Sequence, residues 1–134
     1  MQWEEYKKQI EKGGLPEDLY IVGVDLGTTN SIISYWDNHN RRPELIDMSN
    51  GFGKIPLPSV VQYRPESGEW IVGAEAYNTM SIYPESTIRS IKRKMGTSET
   101  VYVAGKDYRP EEISAKILKE LIDHIQSINP KATL

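Results

Sequence analysis

The stretch Tyr20-Ile21-Val22-Gly23-Val24-Asp25-Leu26-Gly27-Thr28-Thr29-Asn30-Ser31-Ile32-Ile33-Ser34-Tyr35-Trp36 decides the fold. Two β-rich runs, Tyr20–Val24 and Ser31–Trp36, flank Gly27-Thr28-Thr29-Asn30, which predicts strand, tight turn, strand. The first run ends on a carboxylate, Asp25, at the close of what reads as a buried strand. A glycine turn with two hydroxyls follows, and successive N–H groups in such a turn form a concavity suited to phosphate oxygens. Asp25 would repel a bare phosphate, so its fitting role is to hold Mg²⁺ or the waters of Mg²⁺ beside the phosphates. An Asp-Gly hairpin turn that binds nothing remains an equal reading of the residue types alone.

Other phosphate loops are excluded by inspection. Neither the P-loop string G-x-x-x-x-G-K-[ST] nor the dinucleotide string G-x-G-x-x-G is present. Here the glycine turn leads into a β-branched strand, so phosphates would lie over a hairpin rather than at a helix N-terminus.

Working outward, Trp3, Tyr6 and Ile10 recur at helical spacing until Gly13-Gly14 and Pro16 stop them, which predicts a helix and linker over 1–19. Residues 20–134 then form the body. Asp37-Asn38-His39-Asn40 is the next turn, and Pro43–Met48 a third strand closing a meander. Asn50–Gly53 reads as loop. Ser59–Tyr63 and Glu69–Val72 form a hairpin through Pro65 and Gly68, followed by helices over Ala74–Met80 and Ser86–Met95, the second ended by Gly96. A small hairpin joins Thr100–Ala104 to Tyr108 through a Gly105-Lys106-Asp107 turn. The last element starts at Pro110 with Glu111 and Glu112 in its first turn. It carries Ile113, Ile117, Leu118, Leu121, Ile122, Ile125 and Ile128 at a 3.6-residue period and stops at Pro130.

Composition bounds the chemistry. The 134 residues fit one domain, and the zero cysteine count removes thiolate nucleophiles, cysteine-ligated metal and disulfides. Sixteen basic against nineteen acidic residues give a net charge of −3, so no global field draws the chain to nucleic acid or an anionic membrane. The apolar run at Tyr20–Val24 stops at Asp25, far short of the roughly 18 residues of a membrane span. Charges at Glu4, Glu5, Lys7, Lys8, Glu11 and Lys12 leave no apolar core for a secretory signal, and a cytoplasmic protein is the default expectation. His39 and His124 lie far apart without clustered carboxylates, which argues against a histidine metal site.

Four ordered motifs carry a family resemblance. Ile21–Ser31 resembles the first phosphate motif of the DnaK-type, seventy-kilodalton heat-shock chaperones, within the actin and sugar-kinase superfamily. Pro58-Ser59-Val60-Val61 is similar to the family's P-S-hydrophobic strand, and Val72-Gly73-Ala74-Glu75-Ala76 to its V-G-x-x-A helix start. Tyr83–Thr87 and Ile91–Gly96 resemble its N-P-x-x-T and K-R-x-x-G pair. Two features depart from the pattern. Gly51–Pro58 replaces the usual G-x-x-x-T-P-S entry, and the short span from Gly96 to Pro110 suggests a reduced outer subdomain like that of the divergent bacterial DnaK-like group.

The resemblance implies a ribonuclease-H-like, actin-like ATPase fold in the α/β class, of which this chain holds the first subdomain pair. It implies ATP or ADP with Mg²⁺, Asp25 near metal-bound waters, and Gly27, Thr28, Thr29 and Asn30 on the β- and γ-phosphates. Lys92 would reach the γ-phosphate, whereas Arg89, Arg93 and Lys94 read as surface or packing residues. The full-length partners would be unfolded polypeptide clients and co-chaperones. The family's later motifs are not in this sequence, and the sheet would keep an open edge inviting self-association. Roughly three or four charge-assisted contacts of about 1.5–3 kcal/mol each barely offset an association cost of about 4–15 kcal/mol, so weak ATP binding without turnover is expected. The competing classes are a stand-alone interaction module that keeps the fold without catalysis, and a sugar kinase or filament-forming actin relative. The P-S strand and K-R-x-x-G motif favour the chaperone branch over the latter.

Overall fold

The computed structural model describes residues 3–13, 21–37, 39–49 and 53–128. The linker expected over 14–19, the Tyr20 start of the first strand, Asn38 of the turn, Asn50–Phe52 of the loop and the Pro130 stop lie outside them. So do the side chains of Trp3, Tyr6 and Ile10.

The order of elements is mixed α/β with antiparallel sheets. Helix α1 spans Trp3–Glu11, with Glu4 and Glu5 in its first turn and Lys8 in its last, as the helix dipole favours. Strands β1 (Val22–Leu26), β2 (Asn30–Asp37) and β3 (Arg42–Leu45) form the expected antiparallel meander, with Val24 opposite Ile33 and Ser34 opposite Leu45. The two-residue strand β4 (Leu57–Pro58) pairs with Asn30 and Ser31 on the edge of β2 that β3 occupies further along. After Ser59 the chain enters a second sheet of order β6-β5-β7, made by β5 (Val60–Arg64), β6 (Glu69–Val72) and β7 (Thr87–Arg89). Helix α2 (Ala74–Asn78) follows β6, and a single 3₁₀ turn (Ile91–Lys94) follows β7. The hairpin β8 (Val101–Val103) and β9 (Lys106–Tyr108) leads into α3 (Pro110–Ile128).

Helix α3 supplies the largest share of the core. Its buried line is Ile113, Ile117, Leu121 and Ile125, which pack with Ile33, Leu57 and Val61 of the two larger sheets, Ile46 just past β3, Ile91 of the 3₁₀ turn and Val103 of the β8–β9 hairpin. Each such side chain contributes about 1.5–3 kcal/mol of burial. Leu118 and Ile122 flank the line half-buried, and Ile128 lies off it and exposed. Asp37 caps the β2–β3 turn by accepting from the backbone N–H groups of His39 and Asn40 and from the Asn40 side-chain amide.

Three expectations are corrected. Strand β1 is not buried: among the described residues it is the edge of its sheet, pairing with β2 alone, and Gly23, Val24 and Asp25 are exposed. A continuous β-branched run reads as burial on both faces, yet one neighbour can cover only part of it. The helix over Ser86–Met95 does not form. Thr87 and Ile88 pair instead with Gln62 and Val61, and Ser90 takes a left-handed conformation (φ 55°, ψ 34°) that separates β7 from the 3₁₀ turn. Finally, Lys106 and Asp107 belong to β9, since Ala104 and Gly105, at φ 53° and 78°, make the reversal. Two successive positive φ values suit a tight hairpin.

Candidate functional site

The turn between β1 and β2 is closed at its base by the Leu26–Ser31 pair, leaving Gly27, Thr28 and Thr29 outside the ladder. Position 27 requires glycine on steric grounds. A Cβ there would lie 2.2 Å from the Asn30 carbonyl oxygen.

Ser59, at the crossing from β4 to β5, braces the turn. Its hydroxyl donates to the Gly27 carbonyl at 2.9 Å, and its N–H donates to the Thr29 carbonyl at 2.8 Å. A hydroxyl has one proton to give, so the 2.8 Å contact between Ser31 and Ser59 is donated by Ser31. Both serines are buried. With its carbonyls drawn to Ser59, the turn leaves the N–H groups of Gly27, Thr28 and Thr29 without a backbone acceptor among the described residues. Thr28 is half-buried and Thr29 and Asn30 are exposed, so the turn is open to solvent.

A pocket of about 250 Å³, open to solvent, lies beside it. Thr28, Thr29, Ser59, Val60, Tyr77, Arg89 and Ser90 line it. Tyr77 comes from α2, Arg89 is the last residue of β7, and Ser90 is the left-handed residue that follows. Thr28 and Thr29 are therefore the predicted site residues at the pocket wall, and Gly27 shapes the turn from behind. Asn30 opens β2 opposite Pro58. Asp25 is exposed on β1, on the sheet face opposite to Val24 and Leu26 by strand alternation. Lys92 is exposed in the 3₁₀ turn, two residues past Ser90, and is not among the lining residues.

Sequence alone assigns no site role to Ser59, Tyr77 or Ser90 and reads Arg89 as a surface or packing residue. Ser59 had a usable signal, its place beside Pro58 in an ordered motif. The placement of Arg89 had none, because it depends on β7 being a strand. Among the described residues no three His, Cys, Asp or Glu side chains gather as a metal cage. The exposed Asp25 carboxylate, two residues before Gly27, is of the donor type that Mg²⁺ takes, since that ion keeps several waters and uses one or two carboxylates plus substrate phosphates.

A family model described as Hsp70 protein matches residues 21–104, which include the turn, Ser59, Arg89 and Lys92. The chain belongs to the Hsp70 family. Among its Hsp70-family relatives, the chaperone protein DnaK of Mycoplasmopsis agalactiae is 52% identical over 101 residues, covering 75% of this chain and 16% of the relative. DnaK of Thermotoga petrophila is 49% identical over 102 residues, 76% of this chain and 16% of the relative. DnaK of Metamycoplasma hominis is 45% identical over 105 residues, 78% and 16% respectively. The matched region thus spans about 16% of the length of these Hsp70-family relatives. No helix among the described residues is long and apolar enough to cross a membrane.

Proposed function

We propose that residues 20–134 are the N-terminal portion of a ribonuclease-H-like, actin-like nucleotide-binding domain, with residues 1–19 a helix and linker ahead of it. In the whole Hsp70-family protein that domain binds and hydrolyses Mg-ATP to drive capture and release of unfolded polypeptides with co-chaperones, in a cytoplasmic setting. The observation that carries this reading is the turn itself. Ser59 holds the carbonyls of Gly27 and Thr29 on one side, which frees the N–H groups of Gly27, Thr28 and Thr29 for an anion.

The roles follow from that arrangement. The N–H groups of Gly27, Thr28 and Thr29 and the hydroxyls of Thr28 and Thr29 bind phosphate oxygens with Asn30 beside them, and Asp25 orients metal-bound water. Mg²⁺, when bound, neutralises and orients the triphosphate. Lys92 brings an ammonium toward the γ-phosphate, since phosphoryl transfer is catalysed largely by positioning and charge stabilisation. This stretch alone offers few contacts against the cost of association.

The test is a titration of the ¹⁵N-labelled chain with Mg-ATP. Amide shifts at Gly27–Asn30 with millimolar or weaker affinity, and no measurable hydrolysis, are the expected result. Saturation without shifts at the turn would remove the phosphate reading. Sub-micromolar affinity or clear turnover would show that the later motifs are not needed.

The exposed edge β1 favours a second reading, an interaction module that self-associates through that edge without catalysis. Sedimentation of the chain with and without Mg-ATP separates the two, because only the first reading couples a ligand to the turn.

A further inference from the structure

We infer that Arg89 is an anion contact of the pocket beside the Gly27–Asn30 turn, so that a phosphoryl oxyanion is held between Thr28 and Thr29 on one wall and Arg89 and Ser90 on the other. The inference rests on the phosphate reading of the turn and adds to it a cation that the family motif does not single out.

Charge is the first argument. Seven described residues line the pocket, and Arg89 is the one charged side chain among them; none of these described residues is a carboxylate. The other polar side chains are hydroxyls, from Thr28, Thr29, Ser59, Ser90 and Tyr77. The Ser59 proton is committed to Gly27, so Thr28, Thr29, Ser90 and Tyr77 are the hydroxyls with a proton to offer an anion. Arg64 pairs with Glu75 and Arg42 with Glu44, whereas Arg41, Arg93 and Arg109 are in no ion pair among the described residues. Arg89 makes no ion pair among the described residues.

Size is the second. The space beside the turn is small and open, about 250 Å³ even when open solvent is counted. That suits a phosphoryl-sized group better than a whole nucleotide. Guanidinium is also the cation best matched to such a group, because its planar fork meets two oxygens at once. The third argument is backbone. Ser90 holds φ 55°, a conformation uncommon for a non-glycine residue, and this is the bend that ends β7 at Arg89 and starts the 3₁₀ turn bearing Lys92. Arg89 lines the pocket from β7 whereas Lys92 sits in the 3₁₀ turn outside the lining, so the contributions of the two cations are separable.

The experiment titrates the ¹⁵N-labelled chain and its Arg89→Ala, Arg89→Lys and Lys92→Ala variants with Mg-ATP and, separately, with inorganic phosphate at matched ionic strength. Arg89 is exposed, so the melting temperature of Arg89→Ala should stay near that of the parent and vouch for its fold. For the parent, shifts are expected at the Thr28 and Thr29 amides and at the Arg89 Nε–H. Arg89→Ala should weaken binding about tenfold, and Arg89→Lys should fall between, keeping charge but not the fork. A response to inorganic phosphate as strong as to Mg-ATP supports a free-anion site, and a response to Mg-ATP alone supports a nucleotide phosphoryl. Unchanged affinity in Arg89→Ala, with the parent's turn still responding, overturns the role of Arg89 and leaves the phosphate reading standing. No response of the parent's turn to either probe overturns both.

Discussion

At the scale of single residues, the turn depends on two side-chain identities, one of which is the absence of a side chain. Gly27→Ala places a methyl 2.2 Å from the Asn30 carbonyl oxygen, a backbone atom that can yield only if the hairpin end moves. We expect a loss of about 1–3 kcal/mol in urea unfolding, with amide shifts confined to the turn and its Ser59 partners. Ser59→Ala leaves the Gly27 carbonyl and the Ser31 hydroxyl without their partner and should cost about 1–3 kcal/mol in the same measurement. A double-mutant cycle with Ser31→Ala should be non-additive, since both changes break one shared bond. A third residue-level prediction concerns protons. Hydrogen bonds from Asn40, first from its side chain and then its backbone, hold the Asp37 carboxyl below its ordinary 3.8. Its contribution to stability is therefore present above the ordinary carboxylate value and is lost as pH falls through the lowered one. Carbon-detected NMR titration should find Asp37 moved back toward the ordinary value in Asn40→Ala.

At the scale of elements, α3 shows how a regular pattern survives folding. Its Ile113, Ile117, Leu121 and Ile125 line is legible because i, i+4 spacing on one helix is a local property. Leu121→Ala, at a site with 0% exposure, should cost about 2–5 kcal/mol. Ile128→Ala, at 62% exposure, should change stability by less than about 0.5 kcal/mol, and comparing the two by urea denaturation checks the register of the helix. Residues Ser86–Met95 show the opposite case. Their composition permits a helix, but β5 offers a free edge to Thr87 and Ile88, and sheet pairing over a buried Gln62 prevails over a marginal local preference. Gln62 illustrates why this edge is specific. Its side-chain NH₂, with two protons to give, lies within reach of the Ala76 carbonyl and the hydroxyls of Thr79 and Thr87, so the Thr87 hydroxyl that β7 brings helps satisfy a buried amide.

At the scale of the whole molecule, the first sheet is open on the β1 side, where Val24 is 38% exposed. An uncharged β-branched residue on an unpaired edge promotes strand addition. We expect concentration-dependent self-association by analytical ultracentrifugation, reduced by Val24→Lys without loss of thermal stability. The same scale governs what could be read in advance. The hairpin β1–β2, the β5–β6 hairpin, the position of α3 and the two threonines of the turn were legible, because each is announced by residues within a few positions of one another. The β-branched run at Tyr20–Val24 announced a strand but not its place at the sheet edge, and the Ser86–Met95 segment was read in the wrong state. Of the pocket's lining, Thr28 and Thr29 stand in the stretch that the sequence singles out, whereas Tyr77, Arg89 and Ser90 do not. The sequence by itself determined the local chemistry: a glycine-threonine turn beside a carboxylate, and a helix with one apolar line. Only the tertiary structure decided which distant residues meet that turn, because Ser59 and Arg89 lie 32 and 62 positions beyond Gly27 in sequence. Their approach is set by sheet pairing, whose hydrogen bonds join backbone groups without regard to which side chains they bring along.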